Sequence, residues 1–73
     1  MDREMLMLHL RQVERLIAQG ERHLAKQRAI VSQLTAGGHD SSDATTLLVH
    51  LEESQKMHVA HRARLREELG DTE

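Results

Sequence analysis

The sequence predicts an all-α fold: an antiparallel two-helix hairpin that dimerises into a four-helix bundle. Three observations support this prediction. The chain contains no proline, its one cluster of turn residues lies near the middle, and apolar residues on both sides of that cluster recur at alternating steps of four and three. Such spacing places apolar side chains along one face of a helix. A short connection between two helices makes them antiparallel.

The turn cluster divides the 73 residues into one domain with two helices. We predict a single helical-hairpin domain over 1–73, with a helix at 2–36, a turn at 37–40 and a helix at 41–69. Gly37 and Gly38 are expected to end the first helix, because glycine enters the left-handed region without a Cβ penalty. Asp40, Ser41 or Ser42 can then cap the second helix.

The apolar seam is wider than the two-position stripe of a simple coiled coil, because a flanking column runs beside it. Two helices that touch along one line cannot cover such a seam, and small scaffolds of this kind usually associate. We therefore predict self-association into a homodimer, and a trimer stays open. The predicted seam comprises Leu6, Leu10, Val13, Leu16, Ile17, Leu24, Ile30, Val31, Leu34, Leu47, Leu48, Leu51, Leu65 and Leu69.

Charge is distributed unequally between the two halves of the chain. Residues 1–36 hold six basic and four acidic side chains, whereas residues 37–73 hold four basic and eight acidic side chains. An antiparallel hairpin lays the positive half beside the negative half. Exposed pairs contribute little stability, so we expect these charges to select orientation and partner.

Polar residues interrupt the seam near the middle of the predicted bundle. If facing residue numbers sum to about 82, as antiparallel geometry suggests, Gln27 lies opposite Gln55 and Gly20 lies opposite Arg62. The predicted layer consists of Gly20, His23, Gln27, Gln55, His58 and Arg62.

This layer has two interpretations. Buried polar residues fix register in helical bundles, which is the interpretation we favour. Alternatively, the layer binds a small ligand or a metal ion, with His23, His58 and His61 as ligands, because neutral imidazole suits first-row transition metals. We expect no cofactor.

Composition excludes several other classes of function. The chain has no Cys, no serine-histidine-aspartate arrangement on a nucleophile elbow and no glycine-rich phosphate loop, so we expect no enzymatic activity. It has no apolar run long enough to span a bilayer and no secretory start. We therefore expect a cytoplasmic chain without a membrane partner.

A basic outer face on the first helix suggests another alternative. Arg11, Arg15, Arg22 and Lys26 follow one another there, and such a face can contact RNA phosphates. We favour a solvated face and expect no nucleic-acid partner, because the chain is acidic overall and has no aromatic residue to stack on bases. The favoured function is a structural or protein-interaction module of unknown cellular role, with itself and an unidentified protein as partners.

One set of residues spread over most of the chain supports a resemblance: Gly20–His23, Gln27, Arg28, Gly38–Asp40, Leu47, Leu48, Gln55, His58, Arg62 and Leu65. With these residues the sequence resembles a group of short helical-hairpin proteins of unknown function in alphaproteobacterial genomes. In its layout it is similar to the Rop family of plasmid RNA-binding hairpin dimers. This second resemblance implies a four-helix bundle and RNA binding, although the chain has no aromatic residue on the corresponding face.

Overall fold

The computed structural model describes residues 2–71, without the side chain of Asp71, and it is a hairpin of two packed helices. Helix α1 spans Arg3–Ala36 and helix α2 spans Ser42–Asp71. The all-helical fold class and the hairpin are therefore confirmed. The molecule is a rod of 55 × 14 × 13 Å, close to the length of about 51 Å that a 34-residue helix reaches at ~1.5 Å per residue.

An aspartate side chain accepts hydrogen bonds at the start of each helix. Asp2, predicted as the first helical residue, is instead the N-cap of α1, and its Oδ1 accepts a hydrogen bond from the Met5 backbone N–H at 2.9 Å. Before α2, Asp40 Oδ1 accepts from the Ser42 backbone N–H at 3.0 Å and from the Ser42 hydroxyl at 2.6 Å. These two bonds favour the charged carboxylate and lower the pKa of Asp40, the hydroxyl bond being the larger cause.

The turn closes with a glycine in the left-handed region. Gly38 has a φ of 72°, and its N–H donates to the Thr35 carbonyl at 3.1 Å while the His39 N–H donates to the Leu34 carbonyl at 2.9 Å. This pair of bonds is the Schellman motif, which satisfies carbonyls that a helix end leaves unpaired. The glycine pair thus ends α1 as the sequence predicts.

Buried apolar side chains gather at the end of the hairpin away from the turn. Leu6, Val13, Ile17 and Leu65 form the core cluster, and Leu10 and Leu69 pack against it. Toward the turn, Leu24 is the remaining buried apolar residue among the side chains that the structure describes. The half of the hairpin near the turn is therefore the less completely packed half.

The predicted seam is only partly covered in this single chain. Five of its residues are buried, six are half-buried, and Leu16, Ile30 and Leu47 remain 43%, 40% and 49% exposed. This is the uncovered column expected when a wide seam meets only one other helix. Over residues 2–71, neither helix has a segment of sufficient length and apolarity to cross a membrane.

Candidate functional site: the groove face

The two long sides of the hairpin, where α1 and α2 run next to each other, differ in chemistry. One side carries two ion pairs between the helices, Arg28–Glu52 at 3.9 Å and Glu14–Arg66 at 3.4 Å. All four side chains are exposed, so each pair contributes little to stability. We call this the ion-pair side. In one pair α1 supplies the basic residue, and in the other it supplies the acidic residue. The two ion pairs therefore do not reflect the positive net charge of residues 1–36 and the negative net charge of residues 37–73.

The opposite side is an open groove between the helices. It holds about 170 Å³ at mid-length and carries the exposed seam residues in place of ion pairs. The exposed seam residues Leu16, Ile30 and Leu47 lie together because each directly precedes another seam position on its helix. We call this side the groove face, comprising Leu16, His23 and Ile30 of α1 with Leu47, Leu51, Ser54, His58 and His61 of α2.

At the floor of this groove, a glycine leaves a gap in the surface of α1, which we call the notch. Gly20 is at the middle of α1, and the Gln55 side-chain amide occupies the space beside it. A Cβ at position 20 would collide with Gln55 Oε1 and lie 2.9 Å from its Cδ. The Gln55 amide nitrogen donates to the Ile17 carbonyl at 2.9 Å, so this one side chain ties α2 to the backbone of α1.

The second glutamine of the predicted layer forms a separate hydrogen bond between the two helices, nearer the turn. Gln27 is 8% exposed, and its amide nitrogen donates to the Ala44 carbonyl at 2.9 Å. The prediction that Gln27 lies opposite Gln55 is therefore wrong, and so is the prediction that Gly20 makes room for Arg62. Gln55 fills the space at Gly20, seven residues further from the turn on α1 than expected, and Arg62 is half-buried elsewhere.

The histidines of the layer lie on the groove face. His23 and His58 line the groove with Gln55, and His58 also shares a neighbouring depression with His61. Among the described residues, no three histidine or carboxylate side chains are arranged to hold a metal ion. His23, His58 and His61 are thus gathered on one side without forming a closed metal site within one chain.

Gln55 leaves one polar atom unsatisfied. Its Oε1 is buried and is the one such atom without a hydrogen-bond partner among the described side chains. A buried unpaired acceptor costs roughly 1–3 kcal/mol. Spacing alone marked Gln55 as a seam position but could not show this atom, because its burial depends on which α1 residue it meets.

Replacing Gln55 by leucine is expected to stabilise the hairpin by about 1 kcal/mol. The change removes the unpaired Oε1 and loses a hydrogen bond whose net contribution is ~1 kcal/mol, while adding apolar burial at the notch. Urea unfolding followed by circular dichroism measures the difference. Gln27→Leu is the matched control, because Gln27 has no buried unpaired atom, and it should give no gain. Equal stability changes in the two variants would contradict this account of the notch.

The basic outer face of α1 is exposed along its length. Arg11, Arg15, Arg22 and Lys26 all lie in solvent, and Arg15 borders a shallow depression with Leu16 and Gln19 at the edge of the groove face. The four basic side chains are therefore accessible to solvent, and RNA binding through them stays a prediction.

No family model matches this chain, and neither the curated proteins nor the solved structures compared with it include a match.

Proposed function

We propose that the chain is a non-enzymatic, self-associating hairpin, a structural or protein-interaction module of the cytoplasm whose groove face packs on a second copy to form a four-helix bundle. The observation that carries the proposal is the difference between the two long sides. Charged pairs bridge the helices on one side, while the other presents three large exposed aliphatic side chains beside an open groove.

The chemistry of the groove face suits burial against another protein surface. Leu16, Ile30 and Leu47 supply apolar area at 40–49% exposure, and the polar side chains His23 and Ser54 line the groove between them. Interface centres are depleted in charged residues in the same way. On the ion-pair side, a partner would instead have to desolvate four charges, which is costly.

The accessible surface of the single chain is also larger than that of a compact folded protein of the same mass. Its accessible surface is 5459 Å², whereas a compact folded protein of 8.4 kDa exposes about 4,600 Å². The excess of roughly 850 Å² resembles the ~800 Å² that each partner contributes to a standard-size interface. The rod therefore has enough surplus surface for one stable contact.

The second copy is the partner that fits most simply. A two-fold interface uses the same patch on both subunits, so an apolar, charge-poor face meets another of its own kind. Two hairpins stacked through this face give the square arrangement of four helices found in bundles. The proposed contact runs along the groove face and includes the half of the hairpin near the turn, where burial within one chain is least complete.

Sedimentation equilibrium of the full chain, from about 1 to 100 μM, tests the proposal. We expect a mass twice that of the chain, together with a melting temperature that rises with protein concentration because association stabilises the folded form. A folded, fully helical monomer across this range would refute self-association. A mass three times that of the chain would replace the dimer by a trimer.

A further inference from the structure

We infer that two copies of the chain together form a binding site for a divalent transition-metal ion such as Zn²⁺, with His58 and His61 of each copy as ligands. This inference rests on the proposed self-association. Within one chain the set is incomplete, since the described residues hold no three-ligand group. What one chain does present is a pair of histidines on the face that we assign to the contact.

His58 and His61 are placed to act on one ion. They lie three residues apart on α2, and residues with this spacing are neighbours on the helix surface. Both are half-buried and line the same depression. Residues at this spacing serve as joint ligands in metal-binding helical bundles. The two imidazoles can thus supply two neighbouring nitrogen ligands, and we call the pair His58 and His61 of one chain the clamp.

Neither histidine is committed elsewhere in the hairpin. No hydrogen bond or ion pair of the described residues involves either imidazole, so their ring nitrogens stay available as ligands. Arg64 borders the same depression, but it is exposed, and water and salt screen its charge.

Position along the rod brings two clamps together. Gln55 contacts Gly20 at the middle of α1, and the clamp follows Gln55 by one to two turns. His58 and His61 therefore lie within about 7 Å of the middle of α2 at ~1.5 Å per residue. Two antiparallel hairpins overlap fully when their middles coincide on the two-fold axis, and α2 then lies beside the second α2.

The resulting ligand set is chemically complete. Two clamps supply four imidazole nitrogens, the number that tetrahedral Zn²⁺ takes in structural sites. Imidazole also suits Cu²⁺ and Ni²⁺, whereas Mg²⁺ and Ca²⁺ prefer oxygen ligands. The groove face accordingly selects transition metals, and an ion at the axis stabilises the dimer by binding it in preference to the single chain.

Titration of the full chain with Zn²⁺ at pH 7.5, followed by calorimetry, tests the inference. We expect saturation at one ion per two chains and no heat with Mg²⁺. His61→Gln should weaken binding by more than about tenfold, because even the loss of a residue that only hydrogen-bonds to a metal ligand typically weakens binding about tenfold or more. The control His39→Gln alters an exposed turn residue and should bind like the original chain. Circular dichroism checks that both variants are helical.

The absorption spectrum of the Co²⁺-loaded original chain gives a second measurement that needs no variant. Intense bands typical of four-coordinate cobalt are expected, and the weak bands of six-coordinate cobalt would overturn the site. Saturation at one ion per chain, or binding unchanged by His61→Gln, would do the same. A metal-free dimer that takes up no Zn²⁺ refutes the metal site and leaves self-association standing, whereas a monomer at every metal concentration refutes both.

Discussion

Leu65→Ala is expected to unfold the isolated hairpin under conditions in which the original chain is folded. Leu65 is 3% exposed and is the one buried residue of α2 among the side chains that the structure describes. It joins Leu6, Val13 and Ile17 of α1 in the core cluster. A leucine-to-alanine change in a core costs 2–5 kcal/mol, roughly, and the core of so small a domain rarely supplies more than about 3–5 kcal/mol.

Urea denaturation followed by circular dichroism at 222 nm measures this effect. Val59→Ala is the control, because it truncates an aliphatic side chain of the same helix that is 39% exposed. Val59 lies one heptad after Glu52 and therefore on the ion-pair side. Surface changes of this kind alter stability by about 0.5 kcal/mol or less. If both variants unfold at the same urea concentration as the original chain, the cluster does not hold the helices together.

Leu16→Glu combined with Leu47→Glu is expected to convert the proposed dimer into a monomer. Each change places a carboxylate on the groove face at a position that is 43% or 49% exposed in one chain. Completing the burial of such a leucine contributes on the order of 1 kcal/mol. A dimer contains four altered sites, so the loss of about 4 kcal/mol weakens association roughly a thousandfold, before any cost of burying the charges.

Sedimentation equilibrium is again the measurement, and the chain offers a closely matched control. Met7→Glu combined with Val59→Glu changes one residue of each helix, and both residues are 39% exposed. Met7 lies one heptad before Glu14, so it is on the ion-pair side as Val59 is. That variant should remain dimeric. If the control dissociates and the groove variant does not, the contact lies on the ion-pair side and not on the groove face. If neither variant dissociates, the groove face is not part of the interface.

The fold was predictable because local signals agree with one another along the chain. The paired glycines at 37 and 38, the capping aspartate at 40 and the heptad spacing each indicate helix, turn and helix, and such agreement between levels is what makes a sequence specify one structure. The position of Asp40 follows from the same chemistry, since an aspartate in a turn accepts from the backbone two residues on, and Asp40 accepts two hydrogen bonds from Ser42, the first residue of α2.

The register between the helices was not predictable, and the heptad pattern explains why. A seven-residue repeat looks the same after a slide of seven residues, so spacing does not distinguish Gln55 opposite Gln27 from Gln55 opposite Gly20. The structure selects Gly20 because it has no side chain to exclude the glutamine. The spacing places Gln55 and His58 at polar positions of the α2 seam, but which α1 residues they meet depends on this choice of register.

The notch at Gly20 also bears on how the chain avoids mispairing. Hydrogen bonds from Gln27 and Gln55 end on main-chain oxygens, which every residue possesses, so these bonds would form equally well in a misaligned hairpin. The missing side chain at position 20 is unique along the seam of α1. Gly20 therefore sets the alignment of the two helices, because it is the position on the α1 seam at which the Gln55 amide meets no side chain.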